Sequence, residues 1–98
     1  MIRPKNYHIY VTAAIMAAME KSEATKKAIH EGVDRFNAGE WGNIRPEDKA
    51  ANDAELQAHS GRIVARYPSP QGDFYIILEM MGDAGGADRA TIMFREEY

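Results

Sequence analysis

The chain has 98 residues, 45% hydrophobic and 28% charged, with 15 acidic and 12 basic side chains giving a net charge of -3. This is one domain, long enough to fold around its own core, and without cysteine it has no disulfide, thiol nucleophile or thiolate metal site. The mild acidity has the wrong sign for generic nucleic-acid binding and is too weak for DNA mimicry.

The N-terminal "MIRPKNYHIY" lacks the apolar run of a signal peptide. The most apolar stretch, "VTAAIMAAM", is far shorter than the roughly 20 residues a membrane helix needs. A cytoplasmic protein with no membrane partner is expected.

Residues 7 to 12, "YHIYVT", alternate Tyr7, Ile9 and Val11 against His8, Tyr10 and Thr12, which predicts a strand. The alanine- and methionine-rich "AAIMAAMEK" predicts a helix with Ile15, Met16 and Met19 on one side. Ser22 reads as an N-cap that restarts the helix, and Ile29, Val33 and Phe36 then form an apolar stripe ending at Gly39. A third helix starts at Pro46, with Glu47 and Asp48 placed favourably for the helix dipole and Arg45 a poor cap. Its alanines 50, 51, 54 and 58, with Leu56, suggest a narrow face for close packing, and Gly61 a stop.

The last third reads as strands: "RIVARY" at 62–67, "FYIILEMM" at 74–81 and "ATIMFRE" at 90–96. The middle strand is apolar on both faces, interrupted by Glu79, so it is expected at the centre of a sheet with its second face covered, in one reading, by another chain. The whole is a single α+β domain over residues 1–98, with a three- or four-stranded, mostly antiparallel sheet and about three helices packed on one face.

"GEWGNIRPEDKAANDAEL", "GRIVARY", "FYIILE" and "DRATIMFREEY" together resemble a family of small proteins carried by bacterial plasmids, integrative elements and phages. The matching positions are Gly39, Trp41, Gly42, Asp48, Lys49, Asn52, Leu56, Gly61, Arg62, Glu79, Asp88, Arg89, Thr91, Glu96, Glu97 and Tyr98. Phe36 stands where relatives often have histidine, Arg95 where they often have proline, and "GDAGG" resembles an insertion. The resemblance implies a mobile-element origin and no particular chemistry. Small inhibitors of host defence are common in that setting, which is an analogy.

Trp41, between two glycines, is expected to plug the gap between two helices; the alternative is an exposed anchor for a partner. Glu40, Glu47, Asp48, Asp53 and Glu55 read as a solvated acidic face with favourable helix-dipole placement or as a patch for a basic partner. Asp88 and Arg89 read as a salt-bridged turn or as ligand contacts, and Arg62, Arg66 and Glu79 as cross-strand partners on one sheet face. His8, His30 and His59 show no metal-ligand spacing, and no catalytic constellation emerges, so no metal, cofactor or enzymatic activity is expected. The glycine-rich 82–88 segment precedes a strand, not a helix, and so reads as a hairpin tip and not a phosphate cradle.

The functional expectation is a non-enzymatic interaction protein that binds a host protein, such as a defence component. The alternatives are a nucleotide-like small-molecule binder or sponge, with a pocket where Trp41 meets Asp88, Arg89 and Tyr98, and a plasmid-maintenance or regulatory module. A homodimer through "YHIYVT", "ATIMFRE" or the second sheet face is compatible with each.

Overall fold

The computed structural model describes residues 3–81 and 87–98. Strand β1 (Tyr7–Val11) runs directly into helix α1 (Ala13–Lys21), because Thr12 caps the helix by accepting the Ile15 N–H at 3.2 Å. Ser22, in extended conformation, ends α1 and caps α2 (Glu23–Asn37) by accepting the Thr25 N–H at 3.1 Å. This is the break that the serine predicts. Helix α3 (Pro46–Ala58) begins with proline and two carboxylates in its first turn, and Arg45 makes no side-chain capping bond.

The end of α3 departs from expectation. His59 takes the left-handed conformation at φ 50°, while Gly61 opens strand β2 (Gly61–Tyr67). Strands β3 (Phe74–Met80) and β4 (Asp88–Phe94) follow, then a 3-10 turn at Arg95–Glu97. Asp88 and Arg89 therefore lie inside a strand, not in a salt-bridged turn. The hairpin-tip reading of the glycine-rich segment falls on residues 82–86, which lie outside the described residues.

The four strands form one sheet in the order β1-β4-β3-β2. β4 pairs antiparallel with β3 and β3 with β2, whereas β1 lies parallel to β4. The α+β fold is thus as expected, with one correction: "ATIMFRE" is interior and offers no edge. Phe74, Ile76, Leu78 and Met80 of β3 face the helices, with Ile63, Ala65 and Tyr67 on one side and Ala90, Ile92 and Phe94 on the other, all buried. Ile15, Ala18, Ile29 and Phe36 close this core from α1 and α2.

Two helix faces differ from their sequence reading. Met16 is exposed and Ala18 is buried in its place, because Ile15, Ala18 and Met19, at i, i+3 and i+4, share one helical face and Met16 lies off it. In α3 the alanines at 50, 51, 54 and 58 face solvent, and Asn52 and Leu56 make the buried contact. The second sheet face needs no other chain to cover Ile77. That side chain is already 5% exposed, between Val64 and Thr91 in register.

Candidate functional site

The residues singled out from the sequence do not converge. Trp41 is a core residue, 3% exposed, packed edge-on against Phe36 at 5.4 Å with its indole N–H donating to Asp53 Oδ1 at 2.9 Å. It is the plug and not the anchor. The neighbouring Glu40 is exposed and accepts from Arg35 at 2.5 Å; that arginine holds its carboxyl below the usual range. Glu47 and Asp48 remain at the start of α3, both within ion-pair reach of Arg45. Trp41, Asp88, Arg89 and Tyr98 do not line one site, because alternation along β4 sends Asp88 to the helix side and Arg89 to the opposite face.

On that opposite face, register places Arg62, Glu79, Arg89 and His8 side by side across the sheet. The cross-strand ion pairs expected of this row are not made within 4.0 Å among the described residues. Arg62 instead lies over the ring of Tyr98 at 5.6 Å and donates to its hydroxyl, and Arg89 lies over Tyr10 at 6.0 Å. Tyr98 also packs on Tyr75 at 5.3 Å, yet stays 65% exposed. Arg66 shares the face but pairs with Asp73, at 2.6 Å.

The two sheet edges are treated differently by the fold. Along β2, Arg66 donates its N–H to the Trp41 carbonyl at 3.1 Å, and its own carbonyl accepts from the Asn43 N–H at 2.8 Å. Gly42 permits this approach: its φ is 80°, and a Cβ there would sit 2.0 Å from the Arg66 carbonyl oxygen. One step along, Asn52 donates its amide to the Val64 carbonyl at 2.9 Å and accepts the Val64 N–H at 3.4 Å. A turn and a side-chain amide thereby stand in for a fifth strand.

At β1, by contrast, no strand pairs with the outer edge among the described residues. The Thr12 N–H bonds inward to the Ile92 carbonyl at 3.1 Å, so the alternation of a parallel ladder directs the main-chain groups of Val11 and Ile9 outward. Ile9 is 47% and Tyr10 52% exposed. Beside them runs an apolar groove of about 310 Å³ lined by Ile9, Val11, Met19, Ile29 and Val33, with His30 and Asp34 at its polar side.

A second hollow, of about 450 Å³, lies where the N-terminal arm, the end of α3 and the start of β4 meet. Its polar centre is a pair 29 residues apart in sequence, His59 Nε2 and Asp88 Oδ2 at 2.7 Å. The other Asp88 oxygen accepts the Met81 N–H at 3.0 Å. Burial pushes the Asp88 carboxyl up, but the Met81 N–H and His59 together outweigh it and hold it below the usual range. Sequence spacing cannot reveal this pair, since the two residues meet only through the β2-β3-β4 meander. The one local signal is a histidine where a helix stops just ahead of Ser60 and Gly61.

Among the described residues no group of three or more His, Asp or Glu side chains is placed to hold a metal ion. Nor is any described helix long and apolar enough to cross a membrane. No protein family, no curated protein and no solved structure matches the chain.

Proposed function

We propose that this chain is a non-enzymatic protein-interaction module of a phage or other mobile element, and that it binds a host protein by strand addition on β1. In the mobile-element setting that the sequence resemblance implies, the partner is a cytoplasmic defence component and the binding inhibits it stoichiometrically. The observation that supports strand addition is the contrast between the edges: β2 is sealed by the chain itself, and among the described residues β1 is left open. Open edges invite pairing, and soluble domains ordinarily blunt them with lysine, proline or a bulge. β1, Tyr-His-Ile-Tyr-Val, has none of these residues and sits beside an apolar groove. A fitting partner segment is extended, with apolar side chains at alternate positions to enter the groove and a basic residue near Asp34.

The test substitutes Ile9→Lys. This places an edge-blocking charge on a side chain exposed enough to keep its ammonium in water, so the fold is retained, as circular dichroism will confirm. Tagged protein captures a stoichiometric partner from host lysate, and the variant captures about tenfold less or weaker, the loss of one well-placed contact cluster. Capture undiminished by the substitution would place the interface elsewhere. A dimer seen by light scattering and dissolved by Ile9→Lys would mean that the edge receives a second copy of this chain, not a host protein.

A further inference from the structure

The hollow at His59 shares no lining residue with the β1 groove and has a different chemistry. Its floor is apolar, made by Leu56, Leu78 and Met80, and its rim carries Arg3 and Lys5 beside the His59–Asp88 pair. The lining therefore has, among the described residues, two permanent positive charges against one negative, in a chain whose net charge is -3. Among the described residues the two non-glycine positions at positive φ, Asn6 at 58° and His59 at 50°, both line this hollow.

The hydrogen bonding of Asp88 fixes what His59 can offer. One carboxylate oxygen is occupied by the Met81 N–H and the other by Nε2, so Nε2 carries a proton and Nδ1 is the nitrogen left for a ligand. Among the described residues, Arg3 and Lys5 on the arm and Asp88 on β4 are the charged groups that line the hollow with His59.

We propose that this hollow binds a small phosphate monoester, its anionic head held by Arg3, Lys5 and His59 and its apolar body laid on Leu56, Leu78 and Met80. Two fixed cations with an imidazole beside them match a head that carries up to two negative charges better than a carboxylate with one. The volume of about 450 Å³ lies within the range of small-ligand sites, and apolar walls with a few polar groups are their usual composition.

The test is an NMR titration of the full chain with phenyl phosphate, with inorganic phosphate, phenol and benzoate as comparisons. Phenyl phosphate is expected to shift the backbone amides of Asn6, His59 and Met81 and the ring resonances of His59. Its affinity should exceed that of inorganic phosphate by about tenfold through ring burial, and that of phenol by about as much through the charged contacts. Removing both cations in the double variant Arg3→Ala/Lys5→Ala should weaken binding by at least about tenfold. His59→Asn should weaken it too, while keeping a residue that tolerates the left-handed conformation.

Because Arg3 and Lys5 are exposed, the double variant remains decisive even if His59→Asn fails to fold. Shifts absent from the hollow at millimolar phenyl phosphate would overturn the proposal, as would an affinity untouched by the double variant. Benzoate binding as tightly as phenyl phosphate would overturn the assignment of the head group to phosphate.

Discussion

Trp41 carries two roles that can be separated. Its ring fills the space beside Phe36, and its N–H is taken up by Asp53. Truncation by Trp41→Ala removes both and leaves a cavity, so stability should fall by about 3–5 kcal/mol, a large share of the ~5–15 kcal/mol that holds a domain of this kind folded. Trp41→Phe keeps most of the ring and frees only Asp53, an exposed carboxylate that water can solvate, so the loss should be about 1 kcal/mol. Urea denaturation followed by far-ultraviolet circular dichroism measures both, since neither variant retains the tryptophan as a fluorescent probe. A Trp41→Ala midpoint equal to that of the parent would refute the core assignment. The burial of this side chain is legible in the sequence, because a lone indole between glycines on a short connection has a gap to fill. Its partner is not, because several acidic side chains on the next helix compete for the reading.

Asn52 shows how a helix can finish a sheet. Its amide matches the donor and acceptor of Val64 as a neighbouring strand would, and this buried pairing accounts for α3 packing by its asparagine and not by its alanines. Asn52→Ala should therefore cost about 1–3 kcal/mol and speed hydrogen exchange at the Val64 amide. Asn52→Asp should be no milder: it keeps an acceptor for the N–H but turns a second oxygen toward the Val64 carbonyl. Denaturation and exchange at Val64 would check both, and unchanged protection in Asn52→Ala would show that the amide is not what seals the edge.

The same segment marks the limit of sequence reasoning. Alternation places β2 and β3 within a residue or so, and serine and proline place the helix starts, since these signals are local. The choice of α3's buried face depends on what the sheet edge lacks, and no periodicity within the helix encodes that. The open edge at β1 is half legible. Its composition shows in the sequence, but its freedom follows from the parallel pairing with β4, which joins the first strand to the last.

That pairing makes the two ends of the chain depend on each other. The Thr12 hydroxyl, while capping α1, donates to Glu97 Oε2 at 2.9 Å, and the same oxygen accepts the Phe94 N–H at 2.7 Å. At the opposite end of β4, Asp88 ties the strand to the end of α3 through His59 and to Met81 just after β3. A carboxylate in that position links folding to pH. Its folded pKa lies below the ordinary value of 3.8, so between the two values the unfolded chain binds the proton more readily than the folded one. Its contribution is therefore fully present above the unfolded value and is lost as pH falls through the folded one. Glu40 shifts in the same direction, but it is exposed and its pairing with Arg35 is screened by solvent, so Asp88 should dominate the two. Melting temperatures should hold through weakly acidic pH and decline below about pH 4. Asp88→Asn should be less stable than the parent near neutrality, with the difference narrowing as acid protonates the parent's carboxylate. A gap between the two proteins that stayed constant from neutral pH to the end of the acid limb would mean that Asp88 holds these elements together by shape and hydrogen bonding alone, and that its charge contributes nothing.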